Sequence, residues 1–176
     1  RPSPLQVRFH TEHLLPLVVE SVRRLGHRSL AIAAPVIPDS ILERQFRAGW
    51  SLIPREQRAG IRLALFPYAE MRPSLPWACA RDEDALVVGR ASFVHLLRAR
   101  HAAAMRHRPL AVIAGAGEDP AIAGIVLDYR ACAEAAVEVI ENCLRRGQTG
   151  WSDRPRTVLI EPTWRDGPSL PRRVGG

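Results

Sequence analysis

The sequence predicts an α/β chain with a doubly wound, mainly parallel sheet. Three observations carry that expectation. Short apolar runs (Ser29–Ala34, Ala85–Val88, Leu110–Ala114) lack the apolar/polar alternation of a half-exposed strand, as expected when both sheet faces are covered. Segments with helical periodicity lie between them. Glycines and prolines mark the joins. Alternation of this kind favours right-handed crossovers and parallel pairing.

The elements follow in order. Leu5–Phe9 reads as a short strand. His13–Leu25 reads as a helix, with Leu14, Val18, Val22 and Leu25 on one face. Pro16 fits only in its first turn, where a missing N–H is tolerated, and Gly26 supplies a left-handed stop. After Ser29–Ala34, Ser40 and Glu43 form a capping box for a second helix. Its apolar side is Ile41, Leu42, Phe46 and Trp50. Ile61–Phe66 is the next strand, and residues 70–81 are irregular with at most a short helix. After strand Ala85–Val88 comes a helix over Ser92–Met105, then strand Leu110–Ala114. Asp128 caps a helix that runs to Arg146 and stops at Gly147. Its apolar stripe is Ala133, Ala136, Val137, Ile140, Cys143 and Leu144. Thr157–Ile160 is the last strand, and the Pro/Gly/Arg tail is expected to fray.

Composition narrows the function. The 176 residues, 47% apolar, can bury a core. No apolar run is long enough to span a bilayer, and the first residues lack the apolar stretch of a signal peptide. The chain does not open with Met, so an upstream part is expected. The formal net charge is +7 and every one of its 25 Lys or Arg residues is Arg. These are scattered singly or in pairs, without interleaved aromatics, so direct DNA contact is not expected. Three cysteines without a CxxC argue against a disulfide or zinc framework. Cys132 and Cys143 are expected as core thiols, in a reducing cytoplasm.

No catalytic set emerges, so the chain is not read as an enzyme and no cofactor is expected. Ser92 has no His and Asp partners arranged by motif, and there is no GxSxG elbow. Gly115 and Gly117 follow a strand, but Pro120 breaks the helix a phosphate site needs. His10 and His13 have HxxH spacing. No third ligand stands near them in sequence, so surface or packed histidines are expected. His95, His101 and His107 suit a solvated helix face.

Four segments, taken in order, resemble the effector-binding region of lactose/galactose-repressor (LacI-type) regulators. Leu25–Pro35 (LGHRSLAIAAP) is similar to that family's leucine-glycine-histidine-arginine helix end and following strand. Arg47–Trp50 (RAGW) resembles its arginine-x-x-glycine-aromatic helix. Asp84–Ser92 (DALVVGRAS) takes the place of its strand and Asn-Asp pair. Arg154–Ser169 (RPRTVLIEPTWRDGPS) resembles its closing strand and arginine-glutamate-serine ending.

The resemblance implies half of a two-lobed, periplasmic-binding-protein-like sensor with an incomplete first lobe. It places the C-terminal lobe at about 27–125 and 155–165, and remnants of the N-terminal lobe at about 5–26 and 126–150. It implies a homodimer and a small-molecule effector in the interlobe cleft, with DNA bound only through a head outside this chain. A solute-binding protein of sugar uptake shares the fold and is the alternative. The site residues it implies are Phe46, where the family carries an effector-contacting Arg, together with Trp77, Gly89, Arg90 and Glu118. Gly89–Arg90 stands where Asn-Asp grips sugar hydroxyls. An arginine there suits a carboxylate or phosphate. A chain lacking the first-lobe strands is also expected to leave apolar surface on residues 5–9 and on the Asp128–Arg146 helix, for a second copy to cover.

Overall fold

In the computed structural model, residues 5–67, 84–148 and 156–173 are described. Among these residues, eight strands form two sheets. The larger has six: β2 (Leu30–Val36), β3 (Ile61–Pro67), β4 (Ala85–Arg90), β5 (Leu110–Ala114), β6 (Ala123–Val126) and β8 (Thr163–Arg165), in the order β3-β2-β4-β5-β6-β8. All its pairings are parallel except β6 with β8. The smaller sheet pairs β1 (Gln6–Phe9) with β7 (Thr157–Ile160) in parallel. The helices are α1 (Leu14–Arg24), α2 (Ile41–Leu52), α3 (Ala91–Arg100), α4 (Ala102–Met105) and α5 (Tyr129–Arg145).

Strand parity sorts the core into two layers. Leu30, Ile32, Ala34, Ala85, Val87, Ala111, Ile113, Ala123 and Ile125 pack with Leu15, Val18 and Val22 of α1 and Phe46 of α2. Their neighbours Ala31, Ala33, Leu86, Val88, Leu110 and Val112 face Phe93, Val94 and Leu97 of α3 on the other side. Successive residues point to opposite faces, and both faces are dry, so the strands read as unbroken apolar runs. This is the doubly wound arrangement expected.

Among the described residues the chain crosses between the two sheets three times: at residues 10–13 after β1, at 127–128 between β6 and α5, and at 161–162 between β7 and β8. The packing redraws the expected division of the chain. Helix α1, assigned with residues 5–26 to the smaller body, lies on the six-stranded sheet instead. Strand β7, assigned with 155–165 to the larger, pairs with β1.

Three helix ends follow the sequence closely. At α1, Gly26 has φ 90°, its N–H bonds to the Arg23 carbonyl (2.8 Å) and the His27 N–H to that of Val22 (3.3 Å). This is a Schellman stop. At α5, Gly147 and Gln148 repeat it onto Leu144 and Cys143. Ser40 caps α2, its Oγ accepting from the Glu43 N–H at 3.1 Å, and Glu43 answers by accepting the Asp39 N–H at 2.8 Å.

Other expectations are corrected. Ile41 and Leu42 are exposed, and α2 buries Phe46 and Gly49 instead. The expected helix over Ser92–Met105 breaks at His101 (φ −132°, ψ 43°) into α3 and α4. Cys132 and Cys143 are only partly buried. Residues 166–173 do not fray. Ser169 Oγ donates to the Leu110 carbonyl (2.7 Å) and accepts the Ala123 N–H (2.8 Å), stapling the starts of β5 and β6. Leu170 is buried, the Arg173 N–H bonds to the Leu25 carbonyl (2.8 Å), and His27 Nε2 donates to the Pro171 carbonyl (2.9 Å). The leucine-glycine-histidine turn is thus a cradle for the tail. A Cβ on Gly26 would lie 2.8 Å from the Arg173 carbonyl oxygen.

Candidate functional site

Ligands in open α/β sheets settle beyond the strands' carboxyl ends, where the strand order reverses. Here that point lies between β2 and β4. From β2 the chain turns to β3 through α2, on one face; from β4 it turns to β5 through α3, on the other. The β2–β4 ladder stops at Ala33 and Val88. Beyond it β2 continues only with β3, to Val36, and β4 only with β5, to Arg90. The two strands part at the rim.

Gly89 and Pro35 fill the fork. A Cβ on Gly89 would lie 2.6 Å from Pro35 Cδ, so the glycine is held there by packing whatever else it does. Arg90 follows, exposed and extended (φ −147°, ψ 158°), in the N-cap position of α3. No side chain caps that helix. Its first backbone N–H groups and the positive end of its dipole therefore open at the rim where residue 90 stands. Among the described residues, no hydrogen bond or ion pair engages the Arg90 side chain. On the neighbouring strand, Ala114 pairs with Arg90, and Gly115 (φ 85°) turns the chain into the 3-10 turn Ala116–Glu118.

The structure thus brings Gly89, Arg90 and the backbone of Glu118 to adjacent strand ends. The Glu118 side chain lies outside what is described, as does Trp77. Phe46 does not join them. It is 5% exposed within the core shared by α1, α2 and the sheet, and is claimed by packing.

A second cluster went unrecognised in the sequence. Sequence spacing offers His10 and His13 no third partner, but β1 and β7 pair in register, and Glu161 follows β7 as His10 follows β1. The His10 N–H bonds to the Ile160 carbonyl at 2.9 Å. Glu161 then reaches both histidines, with Oε1 2.6 Å from His10 Nδ1 and Oε2 3.0 Å from His13 Nδ1. The hydrogen bond from His10 leads in holding the Glu161 carboxyl below its ordinary range; slight burial opposes it and His13 adds to it. The signal that could have found the cluster was a long-range pairing, which spacing alone does not reveal.

Solved structures similar to this chain include LacI-family regulators and Lac repressors. A LacI family regulator from Enterococcus faecium with bound ribose superposes with a TM-score of 0.65 at 12% identity, covering 96% of this chain and 65% of that one. The fold is that of LacI-family regulators. A repressor of the LacI family from Corynebacterium glutamicum gives 0.70 at 16%, covering 96% and 69%. A dimeric Lac repressor with an 11-residue C-terminal deletion gives 0.65 at 18%, covering 94% and 63%. The chain therefore spans about two thirds of the LacI-type structures it matches. No protein-family model matches it, and no curated protein does. Among the described residues, no helix is long and apolar enough to cross a membrane.

Proposed function

We propose that this chain is the ligand-sensing and dimerising part of a LacI-type DNA-binding regulator, and that its effector carries an anionic group held at the β2/β4 rim. The observation that carries the reading is Arg90. It is exposed, unpaired among the described residues and stands at the N-cap position of α3, which no side chain caps, where the strand order reverses. A guanidinium beside a row of N–H donors suits a carboxylate or phosphate better than a neutral hydroxyl. The three crossings between the sheets supply hinges. A ligand that binds one arrangement of the two bodies more tightly shifts the population toward it. The ribose-bound neighbour supports a sugar-like frame for the anion. DNA would be bound by a head domain outside these residues.

Dimerisation rests on a second observation. Val137, Ile140 and Leu144 of α5 are 55–69% exposed, and Leu159 of β7 is 39% exposed. The helix buries no residue fully. A second copy of the chain would cover this stripe, in keeping with the dimeric Lac repressor.

A thermal-shift screen of sugar phosphates, sugar acids and the matching neutral sugars tests the sensor reading, since a ligand of the folded state raises the melting temperature by mass action. Anionic members are expected to stabilise the chain, and the shift is expected to vanish in Arg90→Ala. A shift with neutral sugars alone, or one unchanged in Arg90→Ala, defeats the reading.

A further inference from the structure

We infer that His10, His13 and Glu161 form a binding site for a divalent first-row transition cation of the zinc class, placed where the chain crosses between the two sheets. Their ligand atoms lie within 4.8 Å of one another, the one such grouping of three His, Cys, Asp or Glu side chains among the described residues. Two features of the backbone build it. The Thr11–His13 segment is a 3-10 turn, closed by the His13 N–H on the His10 carbonyl at 3.1 Å. Residues three apart eclipse in such a turn, and the two imidazoles stack with centroids 3.6 Å apart and planes 28° apart. The in-register β1–β7 pair then delivers Glu161 to both rings, 151 residues from His10 and 148 from His13.

The donor set is chemically selective. Two imidazole nitrogens and one carboxylate suit zinc, nickel, cobalt or copper, whereas calcium and magnesium want oxygen. Each Nδ1 faces a carboxylate oxygen, at 2.6 and 3.0 Å. Ligands at about 2.0–2.2 Å from a zinc ion sit about 3.3 Å apart, so small rotations of the side chains suffice. His13 and Glu161 are 47% and 59% exposed and free to make them. On binding, the cation takes the place of the proton between each Nδ1 and the carboxylate, and that proton passes to Nε2 or to solvent. The open side leaves a fourth position for water, the pattern of an exchangeable site rather than a closed structural one.

Position gives the site its consequence. His10 and His13 lie on one crossing and Glu161 on another. A bound cation would tie these two crossings together and so restrain any rearrangement of the bodies they join. The assignment does not depend on the rim effector, and either can fail without the other.

The test is calorimetric titration of the 176-residue chain with ZnCl2 in a non-chelating buffer. One site per chain is expected, with affinity at least tenfold weaker in His13→Ala and in Glu161→Gln. Circular dichroism checks that both variants, altered at exposed positions, remain folded. X-ray absorption of the zinc-loaded wild type provides a check that needs no variant, with two imidazoles and one or more oxygens expected in the coordination sphere. Absence of binding, affinity unchanged in both variants, or a sphere without imidazole would overturn the site.

Discussion

Single residues fix the structure where backbone meets backbone. Gly124 of β6 has φ 149°, and a Cβ there would collide with the Val112 carbonyl oxygen and stand 2.8 Å from Val112 Cγ2. Gly124→Ala is expected to cost about 2 kcal/mol or more, from strain and overpacking together, read as a lower midpoint in urea. Ser40→Ala is expected to cost about 1 kcal/mol through the lost cap of α2. Asp84 ties three parts of the chain, bonding to residues 28–29 and to Arg173. Desolvation pushes its carboxyl up, but the Ser29 and Arg28 N–H groups and the Arg173 guanidinium outweigh it and hold it below the ordinary value. A carboxyl lowered on folding stabilises above its unfolded pKa of about 3.9 and loses that contribution as pH falls through its folded value. Asp84→Asn is therefore expected to lower the melting temperature at pH 7. The gap to wild type should close below about pH 4. A gap independent of pH would assign the loss to packing rather than charge.

At the scale of elements, the sequence was legible wherever one local rule acted alone. The helix stops at Gly26 and Gly147 and the cap at Ser40 are local chemistry, and each forms as read. The runs that became β2, β4 and β5 needed only their unbroken apolarity. Strands β6 and β8 were missed because they are short and lie among Pro, Gly and Asp; β6 pairs through Gly124 and β8 holds three residues. The break at His101 carries no glycine or proline to announce it. Ile41 and Leu42 satisfied helical periodicity, yet α2 turns its Phe46–Gly49 side inward, because Gly49 lets α2 press onto the Glu12 carbonyl. A Cβ at Gly49 would meet that oxygen, so Gly49→Ala should loosen the α2 contact. The α5 stripe fulfils its expectation of exposed apolar surface. Ile140→Glu is expected to leave the fold intact, since Ile140 is 58% exposed, and to shift the chain toward monomer in sedimentation. Unaltered self-association would move the interface elsewhere.

For the whole molecule, what matters is how the two sheets are joined. The candidate rim was readable in outline, since parallel strands put their carboxyl ends together and Arg90 closes one of them. Phe46 was assigned there from its place in a motif, but its burial is settled by tertiary packing that the motif does not encode. The His10–His13–Glu161 cluster was unreadable for the converse reason, since only the β1–β7 pairing joins its halves. The rim and the hinges give the last expectation. If an anion at Arg90 selects one arrangement of the two bodies, its effect must reach the crossings at residues 10–13, 127–128 and 161–162. Amide hydrogen exchange there should slow on saturation with a stabilising anionic ligand, while exchange in α1, whose Leu15, Val18 and Val22 are fully buried, stays as it was. In Arg90→Ala the same ligand concentration should leave all three crossings unchanged. Protection confined to the 89–92 segment would mean that the rim binds an anion without moving the hinges. The chain would then hold a ligand but not relay it.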